Sequence, residues 1–230
     1  MQLVIGNKNY SSWSLRPWIL MRALGIPFTE RLIRLEAPDF ATQLATVYDG
    51  STVPVLVDKQ TVVWESLAII EYLAERFPAI NIWPQQASAR AMARSISAEM
   101  HAGYTALRSA CPMNLGKRYS PRDRGTDCAA DVSRLCQLWR KARATYGQHS
   151  REPFLFGAFS AADAMFAPVV TRLDTYAIEV PADIRAYMDA LLGSAAFVEW
   201  REAALQEPWV VEFDEVDEDA VSDLRKTSKP

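Results

Sequence analysis

Hydrophobic and polar positions follow two different patterns on either side of Pro78. Before it, short apolar runs alternate with polar loops. Leu3-Val4-Ile5 predicts a buried strand over Gln2–Ile5, and Gly6 to Ser12 a loop. Ser14 can cap a helix from Leu15 to Leu24, with Pro17 tolerated in its first turn, and Gly25 and Pro27 stop it. Phe28 to Leu35 reads as a second strand, and Pro38 to Val47 as a short helical or irregular stretch. Val55 to Val57 and Thr61 to Trp64 form a hairpin around Asp58-Lys59-Gln60. Leu67, Ile70, Leu73 and Ala74 then share one face of a helix from Ser66 to Phe77.

After Pro78 the pattern is helical throughout. Helices are predicted over Ala87–Leu107, Asp123–Tyr146, Ala161–Tyr176, Asp183–Leu192 and Ala196–Leu205, and no strand-like alternation remains. The fold class is therefore an α+β unit of order βαβ–ββα over residues 1–78, a linker over 79–86 and an all-α helical bundle over 87–211. Residues 212–230 start with an acidic cluster and turn basic, which predicts a mobile tail. Phe159-Ser160-Ala161-Ala162-Asp163 has the spacing of a capping box at the head of the Ala161 helix, a folding signal rather than a catalytic one.

Composition narrows the function classes. The chain has 230 residues, half of them hydrophobic, enough for a sizeable core. With 25 basic against 28 acidic residues, the net charge of −3 gives no electrostatic reason to expect nucleic acid. No apolar run is long enough to span a bilayer, and the first residues lack a signal-peptide pattern, so the expected setting is the cytoplasm with no membrane partner. Cys111, Cys128 and Cys136 have no CxxC spacing and read as reduced structural thiols. With only His101 and His149 beside them, no metal site is expected.

Three segments of the first third carry the candidate chemistry. Tyr10-Ser11-Ser12-Trp13-Ser14-Leu15-Arg16 puts hydroxyls at a helix N-terminus, where backbone amides and the helix dipole favour an anion. A cis Pro54 ahead of a strand would turn the Val53 backbone outward to pair with an extended ligand; an ordinary loop proline is the alternative. Glu65-Ser66 heads an amphipathic helix. It is either a simple cap or a clamp in which Ser66 takes a carboxylate and Glu65 an ammonium. Together they suit a small, charged, peptide-like ligand carrying a thiol. The βαβ–ββα order with a functional loop after the first strand points to a thioredoxin-like fold. That loop holds no cysteine, which disfavours disulfide exchange by the protein itself.

In combination these segments resemble the cytosolic glutathione transferase family, serine-type, closest to zeta-like bacterial members. Ser11-Ser12-x-Ser-x-Arg16 is similar to the serine-type loop, Val53-Pro54 to the family's cis-proline site, and Glu65 to Leu73 to its γ-glutamyl-binding segment. The Ser160 capping box is a fourth match, and the resemblance covers roughly Met1 to Leu205. It implies glutathione as co-substrate, a small electrophilic second substrate and a homodimer. It implies Ser11 as the hydroxyl that stabilises the glutathione thiolate, Ser12 as the fallback, and Val53, Pro54, Glu65 and Ser66 as glutathione-binding residues. Arg16 adds positive potential or makes a structural ion pair. Trp13, Tyr104, Arg108, Met113 and Tyr119 are candidates for the electrophile wall. Trp13 departs from the zeta pattern, which has Cys there, and so weakens a maleylacetoacetate-isomerase assignment. Glu99 is either a contact for the γ-glutamyl ammonium, in some members from the partner subunit, or a solvated helix residue.

The resemblance implies a transferase, with glutathione-dependent isomerase, peroxidase or dehalogenase chemistry as rivals separated by pocket shape alone. A non-catalytic binding module of the same fold is a rival of another class, and the acidic tail is its best argument.

Overall fold

A computed structural model describes residues 1–225. The N-terminal unit is a four-stranded sheet with helices on its faces. β1 (Gln2–Ile5) runs parallel to β2 (Thr29–Leu32) and antiparallel to β3 (Val55–Asp58), which pairs with β4 (Thr61–Trp64), giving the order β2-β1-β3-β4. Leu3 lies opposite Leu56, so the apolar run of β1 sits at the centre of the sheet, where both faces are covered. α1 (Ser12–Ala23) joins β1 to β2. A short α2 (Phe40–Ala45) precedes β3, and α3 (Ser66–Arg76) follows β4.

The helical unit comprises α4 (Ala87–Ala102), α5 (Thr105–Ala110), α6 (Thr126–Ala142), α7 (Ala161–Thr175), α8 (Ala182–Leu192) and α9 (Ala195–Ala204). A π-helical turn over Arg143–Gly147 closes α6. α7 is the axis of the molecule: every residue from Ala161 to Leu173 is buried, Asp163, Thr171 and Arg172 among them. Its alanines at 161, 162, 164 and 167 let α1 and α4 approach closely. The capping box forms at its head. The Asp163 carboxylate accepts from the Ser160 amide (2.9 Å) and hydroxyl (2.9 Å) and from the Leu155 amide (3.0 Å).

The long helix predicted over Ala87–Leu107 is two helices. The chain breaks at Gly103-Tyr104, where Tyr104 takes a left-handed conformation (φ 57°). The cost is met by tertiary bonds: Tyr104 hydroxyl to Glu99 (2.7 Å) and Leu107 amide to Asp131 (3.0 Å). The helix expected from Asp123 starts at Thr126, after Gly125 at φ 90°. Helix α1 begins earlier than predicted, with Ser11 rather than Ser14 at the cap. Residue 65, not Ser66, occupies the cap position of α3.

The acidic tail differs most from expectation. Rather than standing free, residues 212–225 lie along the body, and β6 (Ser222–Asp223) pairs antiparallel with β5 (Lys117–Arg118), a strand where only helices were predicted. Glu215 and Glu218 are ion-paired to Lys117 and Arg124. The last part of the tail, 226–230, lies outside the described residues. Among the described residues no helix is long and apolar enough to cross a membrane.

Candidate functional site

A cleft of about 700 Å³ opens where the first turn of α1 meets α5, α7 and the tail. The loop that leads into α1 is fixed from several sides. The Asn7 carbonyl accepts the Ser11 amide (2.7 Å) and that of Tyr10 (3.2 Å), and Glu207 beyond α9 accepts the Lys8 (2.8 Å) and Asn9 (3.2 Å) amides. Ser11 and Ser12 both line the cleft while remaining largely buried. The Ser11 hydroxyl donates to the Ser14 hydroxyl (2.7 Å), and Ser14 Oγ also accepts from the Gly6 amide (3.1 Å). The Ser12 hydroxyl has no partner among the described residues. The first turn of α1 contains no acidic residue, so its positive end is uncompensated.

The Val53–Pro54 bond is cis, and Val53 lines the cleft opposite the serines. Among the described residues neither its amide nor its carbonyl engages another backbone group. Pro54, Glu65 and Ser66 do not line this cleft. Ser66 is fully buried at the start of α3 with its hydroxyl unpartnered, and Glu65 is half exposed at φ 67° with its carboxylate 3.9 Å from His101 Nε2.

Trp13 lines the cleft beside two guanidinium groups, with Arg16 4.1 Å and Arg108 4.9 Å from its ring. Its indole meets His101 edge-on at 5.2 Å. The residue that departs from the zeta pattern is thus the partner of two cations, whose attraction to an indole face is worth about 0.5–2 kcal/mol each. Arg16 is fully buried, and among the described residues none of its three nitrogens has a hydrogen-bond partner. Burial, reinforced by Arg172 and Arg108, pushes its guanidinium well below the ordinary range. The structural ion pair weighed for Arg16 is not formed among the described residues. Burial and Arg16 likewise hold His101 below its usual value.

Of the expected electrophile wall, Trp13 and Arg108 line the cleft. Tyr104, Met113 and Tyr119 do not. Tyr104 turns to Glu99, Met113 belongs to the core, and Tyr119 stacks on Tyr176 at 4.9 Å. Their aromatic or apolar character is spent on packing. Glu99, still partly exposed, makes a bidentate pair with Arg134 of its own chain (2.8 and 2.9 Å).

Two contributors were missed. Arg172, on α7, lines the cleft; its Nε donates to the Cys111 carbonyl (2.8 Å) and one terminal nitrogen is unpartnered. The one cation of a largely apolar helix was the available signal. The tail segment Phe213 to Val216 also lines the cleft, and no local pattern announced that. A second hollow of about 690 Å³ beside α6 contains none of the expected residues, and its Arg124 and Arg140 are paired with Glu218 and Asp183. All three cysteines are free and buried; burial pushes the Cys111 thiol up to about 12. Among the described residues no cluster of three or more His, Cys, Asp or Glu side chains is placed to hold a metal ion.

A sheet of order β2-β1-β3-β4 with a cis proline before β3, joined to a helical bundle, defines a thioredoxin-like unit carrying an all-α domain. Residues 10–76 match the glutathione S-transferase N-terminal domain and residues 86–204 its C-terminal domain, and the chain belongs to that family. It is 25% identical over 162 residues to "Protein IN2-1 homolog A" of Oryza sativa subsp. japonica, a match that covers 70% of this chain and 61% of that protein. The fold is similar to a glutathione transferase homolog from Burkholderia gl BGR1 with bound glutathione (TM-score 0.66, 20% identity, 88% of this chain and 97% of that one). It is also similar to a zeta-class bacterial maleyl pyruvate isomerase (TM-score 0.67, 22% identity, 90% and 99%).

Proposed function

We propose that this chain is a glutathione transferase that generates the glutathione thiolate at the head of α1 and directs it at a small electrophile in the cleft. The observation that carries this is the hydroxyl pair Ser11–Ser14 on the Gly6 amide, at a positive helix end facing a cleft beside an outward Val53 backbone. Because Gly6 already occupies a lone pair of Ser14, the Ser14 hydroxyl can rotate to donate to Ser11, freeing the Ser11 proton for the sulfur. Such a chain of hydrogen bonds strengthens its last member. Bringing a thiol from ~8.5 to about 6.5 takes roughly 2.7 kcal/mol. One hydrogen bond to a charged group, about 1.5–3 kcal/mol, together with the helix end is of that size. Ser12 remains the second candidate. Val53 pairs with the peptide backbone of glutathione, and Ser66 and Glu65 take its γ-glutamyl end.

The thiolate displaces a leaving group from the electrophile or adds to a double bond. Arg108 and Arg172 favour a second form of this chemistry, in which the electrophile is an anion: thiolate addition, rotation about the former double bond and expulsion of the thiolate would isomerise it. The wall is more basic than a purely hydrophobic electrophile requires. A homodimer in the cytoplasm belongs to the same proposal, and light scattering tests the dimer.

Calorimetric titration with glutathione, with thiolate absorbance followed against pH, tests the assignment. Saturable binding with a lowered thiol pKa supports it. No binding at millimolar glutathione sinks it in favour of the binding module.

A further inference from the structure

The tail contributes residues to the cleft yet lies beyond the residues that match the family's domains. It is anchored at three places. Glu215 accepts from the Tyr10 hydroxyl (2.6 Å), from Asn114 Nδ2 (3.1 Å) and from Lys117 Nζ (2.6 Å). Glu218 is paired with Arg124 and with Arg122 (3.3 Å). The Val221 and Leu224 amides donate to the carbonyls of Arg118 (2.8 Å) and Gly116 (2.7 Å), flanking the β5–β6 pair. Burial works against the Glu215 charge, but the bonds from Lys117 and Tyr10 outweigh it, and the carboxylate is held below its ordinary range.

The placement of the Glu215 bonds matters more than their number. Tyr10 is buried and immediately precedes Ser11, and Asn114 also accepts from Asn9 Nδ2 (3.2 Å). One carboxylate therefore ties the tail to the residues that lead into the serines, directly through Tyr10 and through Asn114 to Asn9. Just before it, Phe213 is 87% exposed at the cleft lip, an aromatic ring with almost no protein surface against it.

We propose that residues 212–224 are a latched strap forming the outer wall of the electrophile site. Glu215 is the latch and a positioning residue for the Ser11 loop, and Phe213 is the contact that selects planar electrophiles. This rests on the glutathione-transferase assignment above. A flat ligand seated over the thiolate covers Phe213, which supplies the ring's missing partner. A very small electrophile reaches the sulfur without touching the strap. Electrophile size should therefore separate the two roles.

The test uses the full chain as wild type, Phe213→Ala, Glu215→Ala and Glu215→Gln, with iodomethane as the small electrophile and chlorodinitrobenzene as the planar one. For Phe213→Ala, KM for chlorodinitrobenzene should rise about tenfold, while the iodomethane rate and the pKa of bound glutathione stay as in wild type. For Glu215→Ala, amide hydrogen exchange at Ser11 and Ser12 should accelerate about tenfold, and the pH profile of kcat/KM should move upward for both electrophiles. Glu215→Gln keeps the shape and guards against misfolding; it should show the same changes in smaller measure. Unchanged exchange in both Glu215 variants, or equal losses with both electrophiles in Phe213→Ala, overturns the strap. A wild-type chain that neither binds glutathione nor turns over either electrophile instead fails the underlying assignment, before any variant is compared.

Discussion

Helices α1 and α7 both carry a serine cap, and they end up with opposite electrostatics. At the head of α7, Ser160 is answered by Asp163, whose buried carboxylate takes up the Ser160 amide and hydroxyl and the Leu155 amide. At the head of α1, Ser11 is answered by another hydroxyl, that of Ser14, and no acid is present in the first turn. A carboxylate closes a helix end completely, satisfying its amides and cancelling its positive pole. A hydroxyl relay satisfies the geometry and leaves the pole uncancelled. The first is a folding device. The second is open to a negatively charged atom from outside, and only the second faces a cleft.

The largest test makes α1 resemble α7. Ser11→Asp should cap the helix at least as well, yet put a negative charge where the thiolate must form. We expect the pKa of bound glutathione to rise by about 2 units or more and kcat/KM near neutrality to fall at least about a hundredfold. Thermal unfolding should be no worse than wild type, which separates chemistry from stability.

Opening α7 is the converse. Asp163→Ala strands the Leu155 and Ser160 amides in the core and should cost about 3 kcal/mol in urea unfolding, with bound-thiol pKa unmoved in the fraction that folds. Burial pushes the Asp163 carboxyl up to about 6. A raised folded-state value means the native protein binds the proton more tightly, so this group adds stability as pH falls from about 6 towards 4 and loses it as pH rises.

Ser11→Ala and Ser14→Ala grade the relay. The first should lose roughly 1 kcal/mol of cap energy and raise the bound-thiol pKa by about 1–2 units. The second should move the pKa in the same direction by less, because it removes only the support behind Ser11. If Ser12→Ala carries the loss while Ser11→Ala is silent, the hydroxyl role belongs one residue along.

The smallest effect lies in the strap. Burial pushes the Asp214 carboxyl up to about 6, against the pull of Arg172. By the same sign argument, docking of residues 212–224 should tighten as pH falls through about 6 and loosen above it. Asp214→Asn should flatten that dependence, measured as hydrogen exchange of the Val221 and Leu224 amides at pH 5 and pH 7.5.

The fold was legible in the sequence where signals are local. Strand runs, Pro54, Glu65-Ser66 and the Ser160–Asp163 spacing each operate within a few residues, and each sits at the start of its element. The break at Gly103-Tyr104 was not, because a left-handed tyrosine is paid for by Glu99 and by Asp131 on another helix. Composition could not distinguish a cleft wall from a core: Tyr119 and Met113 have the chemistry of either. The mobile tail was misjudged for a related reason. Acidic runs predict solvation only when no cations wait for them, and Lys117 and Arg124 lie about a hundred residues upstream of their partners.

Glu207 carries one last implication. It accepts the Lys8 and Asn9 amides, while Trp200 donates to the Lys8 carbonyl (3.0 Å), so the loop after the first strand is held from behind by α9 and the residues that follow it. During synthesis, domains form as they emerge, N-terminal first. The sheet can assemble early, but its serine loop lacks the support of Trp200 and Glu207 until α9 and Glu207 have left the ribosome. A chain cut short between Ser66 and Glu207 would carry the serines and Val53 and still lack that backing, so reactivity would follow the folding of α9 rather than that of the sheet.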